Sequence, residues 1–130
     1  MKPKLKLTLA LLVGIVLGLS GARTIHAQQA KTPPAYIVAE VEVTDPATMQ
    51  KYGALVPETL APFNHHYMIR SGKFQPLEGE APKGGLVVIA FDSAEKAREW
   101  WDSPAYNAIK PIRQSAAKSR IFIVEGVVPQ

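Results

Sequence analysis

The 130-residue sequence predicts an α+β sandwich, a four-stranded antiparallel sheet carrying its helices on one face. Three observations predict it. Four short runs are rich in β-branched and apolar residues. Amphipathic helical stretches with start signals separate the first run from the second and the third from the fourth. The resulting order, β-α-β-β-α-β, is that of two split βαβ halves, the ferredoxin-like arrangement.

The first strand is Ala35–Thr44, where Ile37, Ala39, Val41 and Val43 share one face and Tyr36, Val38, Glu40 and Glu42 the other. The first set suits a face under helices. Thr44-Asp45-Pro46 then starts a helix, with Asp45 or Thr44 as cap and Pro46 at its first position. Met49, Tyr52, Gly53, Val56, Leu60 and Phe63 recur at helical spacing, and Pro57 predicts a kink or break near Leu55–Val56. His65–Arg70 reads as a short strand, with His65, Tyr67 and Ile69 opposite His66, Met68 and Arg70. Leu86–Phe91 is a continuous apolar run, the pattern of a central strand covered on both faces. Asp92 with Glu95 predicts a capping box, followed by Ala94, Ala97, Trp100 and Trp101 at helical spacing. Ser103-Pro104 restarts the helix, Ala105, Ile109, Ile112 and Ala116 form its stripe, and Pro111 marks a bend. Arg120–Val128 is the last strand.

Residues 1–27 read as a secretory signal peptide. Lys2, Lys4 and Lys6 precede an almost wholly apolar run from Leu5 to Gly21, and small residues follow, predicting cleavage after Ala27 or after Ala22. That run is shorter than the roughly 20 residues a spanning helix needs. No Cys follows it and no Arg-Arg pair precedes it, so neither a lipid anchor nor the twin-arginine route is indicated. The expectation is an exported, periplasmic or secreted domain over 35–130, free of the membrane after cleavage, with a polar, disordered lead-in over 28–34. Lys2, Lys4, Lys6 and Arg23 carry the whole net charge of +4; from Gln28 onward eleven basic residues balance eleven acidic ones. A nucleic-acid footprint is therefore not expected. The absence of cysteine removes disulfides, thiolate chemistry and Cys-based metal sites. A domain of about a hundred residues held by burial alone is marginal, so oligomerisation would help it. The mixed apolar and acidic face of the sheet predicts a homodimer paired sheet to sheet.

Val43-Thr44-Asp45-Pro46, Val56-Pro57-Glu58, Arg70-Ser71-Gly72-Lys73, Leu77-Glu78-Gly79, Val87 to Ser93, Trp100 to Pro104, Tyr106 and Val124-Glu125-Gly126 occur in that order. Together they resemble the domain-of-unknown-function family 1330, over essentially all of Tyr36 to Val127. The resemblance implies a ferredoxin-like subunit that dimerises into an α/β barrel, and implies no settled activity. The chain departs from the family's pattern at Asn64, His65 and His66, where Gly-Gly-Arg is common, and at Gly85 and Ala90, where a basic and an acidic residue often stand.

His65 and His66 are candidate catalytic groups because imidazole titrates near neutrality. Adjacent strand residues face opposite ways, so the pair does not form a metal site within one chain. Tyr52, Trp100, Trp101 and Tyr106 are either core or the lining of an apolar pocket. Arg113, seven residues after Tyr106, projects from a similar side; the pair is either a clamp for a carboxylate or phenolate or, for an arginine next to acidic strand residues, a structural element. Glu40 and Glu125 are expected near the open sheet face. No phosphate loop, nucleophile elbow or supported Ser-His-Asp order is present, and no cofactor is called for. Two functions stay open: binding of a small molecule in an apolar cavity of the dimeric barrel, or cofactor-independent catalysis (oxygenase, isomerase or lyase) on a small organic substrate. The second rests on fold analogy alone.

Overall fold

The computed structural model describes residues 31–130. The leader, its cleavage positions and residues 28–30 of the lead-in lie outside the described residues. The elements are β1 (Ala35–Val43), α1 (Pro46–Leu60), β2 (His65–Ser71), β3 (Gly85–Phe91), α2 (Ala94–Asp102), α3 (Pro104–Ala116) and β4 (Ala117–Glu125). The sheet order is β2-β3-β1-β4, antiparallel throughout, with the two strands of greatest apolar content in the middle. No helix among the described residues is long and apolar enough to cross a membrane.

Helix starts follow local chemistry. Asp45 caps α1 by accepting from the Thr48 amide at 3.2 Å and the Thr48 hydroxyl at 2.6 Å. Those bonds, the hydroxyl's first, hold its carboxyl below the usual carboxylate range. Ser103 accepts from the Tyr106 amide and donates its hydroxyl to the Trp100 carbonyl, so one residue ends α2 and begins α3. Two expectations need correction. The cap of α2 is Ser93, which accepts from the Lys96 amide, while Asp92 accepts from the Asn64 side chain at 2.8 Å. Helix α1 runs unbroken through Pro57. The carbonyl that Pro57 crowds belongs to Gly53, and the helix carries the ring without ending.

The core lies between the sheet and the helices. Ile37, Ile89 and Phe91 from the strands meet Tyr52, Val56, Leu60, Ala97, Trp100, Tyr106 and Ile109 from the helices. Among the described residues the opposite face of the sheet has no covering layer, so they cover β3 on one side rather than two. Cross-strand partners there are Val38, Val88 and Phe122, with Tyr36 beside Val124 and Ile69 beside Val88. Phe122 and Val124 are 43% and 44% exposed. At the margin Arg120 grips Glu40 through two bonds of 2.8 and 3.0 Å. Glu125 falls on the other face, in register with buried Ala35, so the two glutamates are separated. Of the lead-in, 31–34 form no helix or strand, and the Pro34 carbonyl accepts from the Gly126 amide at 2.7 Å.

One irregularity changes the pocket. Strand β2 carries a bulge between Tyr67 and Ile69: Tyr67 pairs with Ile89, but Ile69 pairs with Val88 and Arg70 with Val87. The extra residue is Met68. A bulge reverses the alternation beyond it. Arg70 therefore joins His65 and Tyr67 on the helix-facing side, and Ile69 moves to the open face. The alternation predicted the reverse for Ile69 and Arg70.

Candidate functional site

A cavity of about 140 Å³ lies between the sheet and helices α1 and α3. Small residues make it: Ala39 on the sheet side and Gly53 on α1 both line it. A Cβ at Gly53 would meet nothing within 4 Å. Val87 and Ile121, the neighbours of Ala39 on either side, complete that row of the floor. The volume is close to the roughly 150 Å³ of an apolar cavity that holds one benzene ring.

Three polar groups of the cavity, Tyr52, Tyr106 and Arg113, gather together. Tyr52 and Tyr106 hydroxyls lie 3.0 Å apart, and Arg113 Nε donates to the Tyr106 hydroxyl at 3.4 Å. Arg113 is 6% exposed and forms no ion pair among the described residues. Its neighbours are aromatic, with the Trp101 ring centroid 5.9 Å from the guanidinium carbon. Burial, reinforced by Tyr106, pushes the Tyr52 phenol far above the ordinary tyrosine range, so it stays protonated.

Counting hydrogens shows what the cluster lacks. Two phenols carry two protons, and one of these makes the tyrosine–tyrosine bond. The other has no acceptor among the described residues. Arginine brings five N–H donors and no acceptor. The site is thus rich in donors and positive, the complement of a carboxylate, phenolate or other oxyanion.

Trp100 lines the cavity and is also core. Its ring stacks on Phe91 at 5.8 Å and meets Tyr106 at 4.1 Å. Its Nε1 donates to the Thr59 hydroxyl, which donates to the Val56 carbonyl. Trp101 is half-buried at the rim, with the Lys110 ammonium 4.3 Å from its ring centroid. Tyr52, Trp100, Tyr106 and Arg113, read from the sequence as candidates, therefore converge on one cavity.

His65 and His66 do not line it. His65 Nδ1–H donates to the Phe63 carbonyl at 2.8 Å, and its ring meets Tyr67 edge-on. His66 points the other way, into an open groove with Asn64, Ala90, Asp92 and Pro129. No group of three His, Asp or Glu residues among the described residues is placed to hold a metal. Sequence reasoning did not identify Arg70, Tyr67, Ala39 or Gly53 as cavity residues. Arg70 is hidden by the bulge, and hollows made by small residues have no linear signature.

The fold is that of several solved structures. RPA0582 from Rhodopseudomonas palustris, described as a protein of unknown function, is 15% identical with a TM-score of 0.60, covering 85% of this chain and 94% of that one. SnoaB from Streptomyces nogalater, a cofactor-independent oxygenase, is 14% identical with a TM-score of 0.52, covering 76% and 96%. A dimeric ferredoxin-like protein of unknown function from Thermobifida fusca is 15% identical with a TM-score of 0.51, covering 75% and 95%. At these identities the likeness shows the ferredoxin-like fold. No curated protein matches the chain. The model of a domain of unknown function, DUF1330, matches residues 34–127, and the chain belongs to that family.

Proposed function

We propose that the protein is an exported, homodimeric domain that binds a small organic anion in the cavity between Tyr52, Trp100, Tyr106 and Arg113. Arg113 is the observation that supports this most. A guanidinium buried without a counter-charge costs several kcal/mol, and here it borders an apolar hollow the size of one ring. A carboxylate or phenolate would neutralise it and accept the unused phenol proton. Titration of the purified protein with benzoate should give saturable binding. In Arg113→Met, which keeps the length and removes the charge, binding should weaken by about a hundredfold, the usual consequence of removing one partner of a buried charged pair. Equal affinity in the variant would contradict the reading.

Dimerisation and export are parts of the same proposal. The open sheet face offers Ile69, Val88, Phe122 and Val124 to a second copy, with the Glu40–Arg120 pair at its margin. The Thermobifida fusca relative in fold is described as dimeric. The lysine-led apolar stretch and the small residues after it support cleavage after Ala27 or Ala22. Native mass spectrometry of protein recovered from outside the cytoplasm tests both. The expected species is a dimer of chains beginning at Gln28 or Arg23. A monomer at micromolar concentration, or a chain beginning at Met1, would overturn the corresponding part.

A second reading is cofactor-independent catalysis on a small organic substrate. Arg113 and the paired phenols favour it, because converging donors stabilise an oxyanion as it forms. The histidines lie outside the cavity, so this reading assigns the electrostatic role to Arg113. Turnover of a phenolic or dienelactone panel would then vanish in Arg113→Ala and persist in His65→Ala and His66→Ala. Turnover that survives Arg113→Ala removes this reading.

A further inference from the structure

We infer that the ligand carries two anionic poles, one held by Arg113 and the other by Arg70, with a short apolar body between them. The inference rests on the anion site at Arg113 and adds a second recognition element to it. Both arginines line the same cavity. They enter it from near opposite edges of the sheet. Arg113 also borders a groove shared with Ala117, Ser119 and Ile121 of β4, whereas Arg70 comes from β2, the opposite edge strand. Three strand spacings separate β2 from β4, roughly 14 Å between backbones. Arg113 stands on α3 above the sheet, and both arginines line the one cavity, so a single ring or short chain is the body inferred between the poles.

Arg70 is on this face only because of the bulge at Met68. In an unbulged strand it would point to the open face, away from the cavity. Bulges re-aim side chains beside sites, and this one delivers a cation to the wall. Arg70 has no carboxylate partner among the described residues. Its guanidinium rests on the Tyr67 ring at 4.8 Å, a contact that steers the side chain and leaves its N–H donors free for a ligand. The floor between the two cations is Val87, Ala39 and Ile121, with no charge on it. A dicarboxylate uses both ends and the apolar middle.

Matched acids that differ only in the second pole test this: benzoate against terephthalate, and hexanoate against adipate, titrated into wild type, Arg70→Met and Arg113→Met. In wild type the diacid of at least one pair should bind about tenfold more tightly than its monoacid, one charge-assisted contact's worth. Arg70→Met should abolish that preference, so that diacid and monoacid bind this variant with the same affinity. Arg113→Met should weaken both acids. Monoacid binding that depends on Arg113, with no diacid preference in either pair, overturns the two-pole inference and leaves the anion site standing. A preference that survives Arg70→Met overturns the role of Arg70. If none of the four acids binds wild type, the anion site and the inference fall together.

Discussion

Replacing Trp100 with alanine should lower the stability of the domain by about 3–5 kcal/mol, the largest effect of any single side-chain truncation in the core. Trp100 is 2% exposed and sits where sheet, α1 and α3 meet. Its removal takes away the stack on Phe91, the contact with Tyr106 and the bond to Thr59 at once. Thr59 keeps its bond to Val56 and loses its donor. The space left would merge with the existing cavity, because the same ring lines it. Collapse is hindered by the surrounding rings, so the cost falls at the upper end of large-to-small changes. In a domain of this size the melting temperature should fall by more than about 12 °C. Thermal unfolding followed by circular dichroism measures it, and a shift of only a few degrees would show that Trp100 is not the keystone described.

Gly84→Ala should be nearly as costly for a different reason. Gly84 has φ +75°, and a Cβ there would collide with the Val41 carbonyl oxygen and lie 2.7 Å from Glu42 Cα. Both obstacles are backbone of β1, a strand paired on each side. Relief requires the loop before β3 to lift away from the sheet. Left-handed backbone and steric strain together should cost on the order of 3 kcal/mol. Urea unfolding should show a lower midpoint with an unchanged slope, since the change acts on the folded state. Gly79 has the same positive φ, but nothing lies within 4 Å of its Cβ position. Gly79→Ala is therefore the control, expected to lose only the backbone share of that cost.

Much of the fold was legible because its signals are local. Asp45-Pro46 and Ser103-Pro104 cap helices through atoms three residues away, so sequence and structure agree at both. At Asp92-Ser93 two capping residues stand side by side, and a residue 28 positions earlier, Asn64, decides between them by engaging Asp92. That choice is tertiary and has no local sign. The bulge at Met68 is similar: HHYMIR alternates equally well in either register, and only pairing with β3 fixes which side Arg70 takes. The site shows the same division. Tyr106 and Arg113 are seven residues apart on one helix, and helical periodicity places them together. Tyr52, 54 positions before Tyr106, completes the hydroxyl pair only through the packing of α1 on α3. The histidines drew attention as an unusual pair, yet strand alternation already sent them to opposite faces.

The central claim is that Arg113 and the paired phenols hold an oxyanion in a ring-sized apolar cavity. A crystal structure of the purified protein with bound benzoate tests it most directly. The expected result places a carboxylate oxygen within hydrogen-bond distance of the Arg113 guanidinium and of the Tyr52 or Tyr106 hydroxyl, with the ring over Ala39. Benzoate bound elsewhere, or a cavity holding only water at saturating benzoate, would contradict it.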